Sequence, residues 1–497
     1  VSALLVAPVA LPLVAAAVLL LLPRSAALGR VVGIGSTALV VVAAAVLLVR
    51  TLTGEVPVVQ VGGWPAGIAV VLALDAFGAL VLLLTAAVTL LGLVYAIGTG
   101  EDREHTFTPL VLVMSAGVSG ALSTADLFNL FVFVEVVLIP SYVLLGLAGR
   151  RQRVAGARLY VSINLLASTL FLGGIGLLYG VTGTVQLGEL AGVAAGSVPA
   201  ALAASVVLLA MAVKSAVVPL HSWLPGSYSV AGPAVTVLFS GLLTKVGLYA
   251  LFRLYSVLFD GDPRFLWVLP AVAVLTMVVG VLSAVGSSAV RPVLTSHMVS
   301  QIGYVLVGLG LSTAAGLAAA TFFLVQYVLV KAALFMVGGA VEVRYGTDVL
   351  DQLGGGLVHR ERWLAVAFAG SALALVGIPP TSGFVAKLQL ASAAAADGPW
   401  WVLLAVVAVS LVTLVSMLKL WNGVFWGSPD GAPERETGGS VAVATRTASW
   451  TLVGPPLLLA GAALVLGIWA EPLLAAATVA GEQLADPTAW VSAVTGR

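Results

Sequence analysis

Uninterrupted apolar runs of about 20 residues recur along this entire chain, and that recurrence restricts the fold more than any other feature. They lie near 3–22, 29–49, 69–97, 107–123, 126–148, 158–180 and 200–222, then near 230–257, 265–286, 292–312, 316–341, 363–392, 401–426 and 447–470. The runs are continuous Ala, Leu, Val and Gly rather than alternating, so they predict helices and not barrel strands. The expectation is an all-α polytopic membrane protein of about 14 transmembrane helices. Only 9% of the 497 residues are charged, too few for a water-exposed globular surface. The first run has no basic flank and the chain opens Val1-Ser2-Ala3, so we read it as a retained span rather than a signal.

The connections predict no soluble domain. The longest polar segments are 50–68, 181–197 and 427–446, and the first, with Gly62-Gly63-Trp64-Pro65, reads as a short turn or hairpin. A redox centre, nucleotide site or phosphate loop has no room. The chain has no cysteine and four scattered histidines, which excludes a thiolate or clustered metal site, and a net charge of +1 gives no footprint for nucleic acid.

Arginine sets the expected orientation. With the N-terminus outside, inner loops carry Arg24, Arg30, Arg103, Arg150, Arg151, Arg153, Arg158, Arg291, Arg344, Arg360, Arg362, Arg435 and Arg446, against Arg50, Arg253, Arg264 and Arg497 outside. Both termini are then expected to face outward.

Lysine is distributed differently. All five lysines fall within spans or at their edges: Lys214, Lys245, Lys331 and Lys387 deep, Lys419 nearer an end. Arginine keeps its proton under all conditions, whereas a desolvated lysine can release one. Each central lysine costs roughly 2.5–3.5 kcal/mol on insertion scales, so packing alone does not account for four of them. Snorkelling suits Lys419; for the deeper lysines the alternative to a protonatable role is a static ion pair. Glu135 is the carboxylate well inside the fifth span, with Asp126 and Asn129 at its outer edge, and Glu135–Lys214 is the expected pair.

Two spans carry helix breakers at membrane depth: Pro219 in the seventh, and Pro379 and Pro380 in the twelfth. Interrupted helices at matching places in two halves point to an inverted-repeat transporter. Lys214 precedes its break and Lys387 follows its own, as inversion requires. Further polar residues extend the row. His221 is seven residues from Lys214 and shares its face if the helix continues; His297, Ser300, Gln301 and Tyr304 share another face. Tyr249 follows Lys245 by one turn and Tyr327 precedes Lys331 by one turn. Singly, such residues read as interhelical hydrogen bonds; as a set they read as a hydrated proton relay.

These residues resemble the antiporter-like subunits shared by multisubunit Mrp (Mnh) cation/proton antiporters and respiratory complex I. The motifs are Asp126 to Glu135, which looks like the D-type Mrp form of the fifth span, with Lys214 to Pro225, Thr244-Lys245, Ser300 to Tyr304, Lys331 to Phe335 and Gly377 to Phe384. The resemblance implies two inverted five-helix repeats with broken helices 7 and 12. It divides the chain into helices 1–3 (1–106), a first repeat of helices 4–8 (107–260), a second of helices 9–13 (261–430), and helix 14 with a tail (431–497). It also implies that Glu135 and Lys214 form the essential pair, that Lys245 links to a central axis containing Lys331, and that Lys387 ends the path. Many relatives carry His one turn before Lys331, where this chain has Gln326 and Tyr327. The implied function is proton translocation driving sodium efflux, without enzyme activity, cofactor or metal, beside subunits A, B, C, E, F and G in a bacterial inner membrane. The alternative is a proton-pumping subunit of a complex I-type NADH:quinone oxidoreductase. A passive scaffold leaves the lysines unexplained.

Overall fold

The computed structural model describes residues 2–22, 25–64, 70–147, 151–262, 264, 266–427 and 449–497. Arg24, Arg150, Arg435, Arg446, the side chains of Arg151 and Arg153, and the polar segment beyond residue 427 lie outside the described residues.

The chain opens with α1 (Ser2–Leu21) and α2 (Ala26–Leu52), then an antiparallel hairpin of β1 (Val58–Gln60) and β2 (Val71–Ala73). Next come α3 (Ala76–Thr99), α4 (Phe107–Ser123), α5 (Leu127–Gly146), α6 (Arg151–Thr182), the single turn α7 (Val193–Gly196), α8 (Val198–Lys214), α9 (Trp223–Tyr228) and α10 (Pro233–Phe259). The second half holds α11 (Val268–Gly286), α12 (Val290–Leu311), α13 (Ala314–Tyr345), the single turn α14 (Leu350–Leu353), α15 (Arg362–Val376), α16 (Ser382–Asp397) and α17 (Trp400–Val424). The chain closes with α18 (Trp450–Ile468), α19 (Glu471–Ala485) and α20 (Thr488–Thr495). Among the described residues, 11 helices are long and apolar enough to cross a membrane, and α4, α8 and α15 are shorter apolar helices.

Element by element, α4, α5, α6, α8/α9 and α10 correspond to α11, α12, α13, α15/α16 and α17. The third member of each set is a 32-residue helix and the fourth is broken. The core lies where the halves meet. α10 and α12 are buried along the whole of their spanning windows and α13 along 94%. A helix apolar on all sides has to be enclosed in this way, and α13 packs against α3, α10, α12, α15, α16, α18 and α19. α1, α2 and α17 lie at the periphery.

Three expectations change. The third span does not begin at 69: β2 occupies 71–73, and α3 starts after Asp75, whose carboxylate caps Gly78 N. The last span does not end at 470. α18 starts beside the C-terminal end of α3, where Gly98 meets Leu452, and stops against the break before α16, where Gly467 meets the backbone of 380–382. α19 continues along α13, with Gly481 against Ala314 and Ala318, and Gln483 accepts from Ala76 N at the opposite end of α3. The expected tail is therefore packed helix. Arg253 is not a loop residue: it is buried in α10 in an ion pair with Asp75. The beginning of α1 packs on β1 and α20 lies beside 182–189, so both ends of the chain are on one side of the bundle.

Candidate functional site

The first expected pair is brought together, but through an intermediary. Ser168 of α6 donates to Glu135 Oε1 and accepts from Lys214 Nζ at 2.9 Å. The carboxylate and the amine do not form a direct ion pair. A hydroxyl that both donates and accepts can pass a proton between them without either side chain moving. Beside Lys214 lies a cavity of about 20 Å3, lined in part by Asn164, Trp223 and Gly247, room for one water.

Lys214 is the last residue of α8, before the break at 215–222. Ending a helix inside a membrane leaves carbonyls without partners. Here Trp223 Nε1 donates to Val213 O at 2.9 Å, and Thr276 of α11 takes Val218 N at 3.3 Å. The negative end of the α8 dipole also favours an ammonium at its last position. Gly247 lets α10 approach the break, because a Cβ there would collide with Ser215 Oγ. His221 does not share a face with Lys214 as expected. The helix stops at Lys214, and the half-buried His221 turns onto the Pro219 carbonyl within its own loop.

The centre is wholly buried. Lys245 of α10 donates to Ser240 O, to Thr244 Oγ1 at 3.1 Å and to Tyr327 Oη at 3.3 Å, and its amine stands 4.4 Å from the Tyr327 ring centre. Tyr327 thus joins Lys245 in α10 to α13. Lys331, one turn along α13, donates to Leu294 O of α12 at 3.0 Å. His297 Nε2 is hydrogen-bonded to Ser416 Oγ of α17. Lys331 and Lys387 are near enough to His297, and Lys245 to Lys331, for their charges to interact.

Gln301 and Gln326 are both buried, and none of their four side-chain polar atoms has a protein partner. Ser300 Oγ and His297 Nδ1 are in the same condition. Groups of this kind are satisfied by internal water, so the stretch without a histidine at 326 carries the polar lining of a wet passage.

The second break repeats the logic of the first with a different solution. Gly377, at φ 89°, ends α15, and Lys387 reaches back from α16 to donate to Leu375 O at 3.0 Å and Val376 O at 2.8 Å. Its amine lies 5.0 Å from the centre of the Tyr304 ring. Tyr304 donates to Val406 O at 2.9 Å and pairs with Ser410 Oγ at 2.9 Å, both in α17. Both breaks therefore expose helix C-terminal carbonyls at membrane depth and place a lysine on them.

Other expected members stand apart. Asp126 caps α5, accepting from Asn129 N at 2.7 Å, while Asn129 Nδ2 donates to Thr124 Oγ1 at 2.9 Å; both are held at the helix end rather than at Glu135. Tyr249 does not serve Lys245: it stacks on Phe77 and bonds to Arg253. Lys419 does not reach freely for the surface, because it donates to Val285 O at 2.9 Å and Ser287 O at 2.6 Å at the end of α11. The serines at 168, 410 and 416 are absent from the expected row, since a lone serine in a span carries no signal in sequence.

The family model described as NADH:quinone oxidoreductase/Mrp antiporter, transmembrane, matches residues 124–413, which contain every lysine of the row from Lys214 to Lys387. This chain belongs to that family. Within it, the D-type Na(+)/H(+) antiporter subunit of Alkalihalophilus pseudofirmus is 35% identical over 498 residues, covering 99% of each chain. A chain of the Mrp complex from Dietzia sp. DQ12-45-1b is 43% identical, with a TM-score of 0.95 over 100% of this chain and 99% of that one. A chain of respiratory complex I from Thermus thermophilus, at 24% identity and a TM-score of 0.80 over 98% and 99%, shares the fold. The NADH:quinone oxidoreductase/Mrp antiporter architecture thus accommodates both broken helices and the buried lysine row.

Proposed function

We propose that this chain is the proton-translocating D-type subunit of a multisubunit sodium/proton antiporter in a bacterial plasma membrane, a transporter component rather than an enzyme, with no cofactor. One observation carries the reading. Protonatable side chains run from Glu135 through Ser168 and Lys214 to Lys245, Tyr327, Lys331, His297 and Lys387, across both halves of the fold. Whole-length identity to a subunit named for sodium/proton antiport favours this over a redox-driven pump.

Within the proposal, 1–106 form an N-terminal group, 107–260 and 261–430 the two inverted repeats, and 431–497 the closing segment. Both termini face outward, as the arginine distribution requires. The partners are subunits A, B, C, E, F and G, and the sodium route involves them. The test is reconstitution of the purified complex in vesicles under an imposed pH gradient. Sodium addition should dissipate the gradient with the whole complex and not with this chain alone. NADH:quinone electron transfer by the purified complex would replace this reading with the redox-driven one. Cysteines placed singly in this Cys-free chain give the topology: an impermeant thiol reagent added outside should label 181–197 and not 149–157.

A further inference from the structure

The half-helix α9 has no length with which to hold itself in place. It spans six residues, follows the break at Lys214, and is joined to α10 by 229–232. A six-residue helix is not stable on its own, so its position must come from outside. Two charged side chains from other parts of the fold supply it.

Glu101, after α3, accepts from Ala234 N at 3.0 Å and Val235 N at 3.3 Å at the start of α10. Gly232 allows this approach, because a Cβ there would lie 2.6 Å from Glu101 Oε2. From the other half comes Arg291, on the first turn of α12 and 6% exposed. Its Nη1 donates to Ala231 O at 2.5 Å, its Nη2 to Glu342 Oε1 at 2.6 Å near the end of α13, and its Nε lies 3.7 Å from Asp348 Oδ2. The Arg291 backbone N also donates to Asp348 Oδ2 at 3.2 Å.

One guanidinium therefore ties together the α9–α10 link, the start of α12 and the end of α13. Each carries part of the proton row. α9 supplies Trp223, which bonds to Val213 O beside Lys214; α12 supplies His297 and the Leu294 carbonyl that takes Lys331; α13 supplies Lys331 itself. The planar fork of arginine can serve several acceptors at fixed angles, which a lysine ammonium cannot.

We propose that Arg291 is a positioning residue that couples the broken helix of the first repeat to the central helices of the second, so that a shift of α9 when Lys214 changes charge reaches Lys331 and His297 through one rigid joint. In the sequence Arg291 is one more inner-loop topology charge. Its burial and its three partners assign it this second role.

The inference rests on the antiporter reading, so sodium-driven dissipation of a pH gradient by the wild-type complex is the control for that reading. Against it, Arg291→Gln in the assembled complex should lower the maximal rate at least about tenfold, while the KM for sodium stays within about twofold, since no cation ligand is touched. Glu342→Gln leaves the bond to Ala231 in place and should keep at least about a third of the rate. Arg291→Lys should fall between them, and it stands in for Arg291→Gln if that variant does not assemble. Near-wild-type rates for Arg291→Gln or, in its place, Arg291→Lys would overturn the proposal. So would a Glu342→Gln loss as large as that of Arg291→Gln, which would make the site a charge balance rather than a joint.

Discussion

The two broken helices hold their lysines by different means. At the first break, Lys214 ends its own helix and meets a carboxylate through a hydroxyl, Glu135–Ser168–Lys214. At the second, Lys387 lies beyond the break, folds back on the carbonyls of Leu375 and Val376, and has no carboxylate partner among the described residues. An ammonium at membrane depth can thus be stabilised by an ionisable partner or by the negative end of a half-helix. The difference has a consequence. Glu135 and Lys214 can hold one proton or two between them, so the first site has an internal exchange partner. Lys387 has fixed dipoles for company, and a proton it releases must leave along the chain of Tyr304, His297 and water.

This contrast is open to direct tests in the assembled complex, read as sodium-dependent dissipation of a pH gradient. Lys214→Ala and Glu135→Ala should each lower antiport by at least about 100-fold, as loss of a proton-transfer group does. The double variant should be no worse than either single one, because the two act as a unit. Additive losses would separate the pair.

Lys387→Arg keeps a cation that can bond the α15 carbonyls but removes the group that can release a proton. We expect a loss of about tenfold or more. Wild-type antiport in this variant would make Lys387 a structural cap and leave the first break as the one protonatable site of the two.

Ser168→Ala removes the bridge while leaving both charged groups. A hydrogen bond to a charged group contributes about 1.5–3 kcal/mol, which at the lower end is about a tenfold loss of rate. Ser168→Thr should restore most of it. An unchanged rate in Ser168→Ala would mean that Glu135 and Lys214 communicate without the hydroxyl.

Lys419→Ala should change antiport by less than about twofold. Its effect belongs to stability, about 0.3–1 kcal/mol for a cation at the end of α11, and should appear as a small drop in the melting temperature of the complex. If antiport failed in Lys419→Ala and survived in Lys214→Ala, the proposed path would be reversed.

Much of this arrangement can be read from residue types and their spacing. Lysine in an apolar run is rare and expensive, so Lys214, Lys245, Lys331 and Lys387 stand out, and proline at membrane depth marks both breaks. The residues that join them do not stand out. Ser168, Ser410 and Ser416 are ordinary in a helix, and their value comes from facing a charged group on another element. Trp223 reads as an apolar residue until its indole is found on the Val213 carbonyl. His221 shows the opposite failure. Its seven-residue spacing from Lys214 assumes a continuous helix, and the break turns it away.

Sequence by itself determined the solvent this protein folds in, the helices it is built from, the two places where they break and the four lysines buried along them. Each follows from a local cost, because apolar length, a missing N–H or an unshielded charge is a property of the residue and its near neighbours. Tertiary structure alone decided which polar groups meet. The serine between Glu135 and Lys214, the unpartnered glutamines at 301 and 326, the continuation of α18 into α19 and the threefold grip of Arg291 join residues from 33 to more than 100 positions apart. Their geometry is set by how α10, α12 and α13 are enclosed in the core, where each buried polar group must find a partner or hold a water.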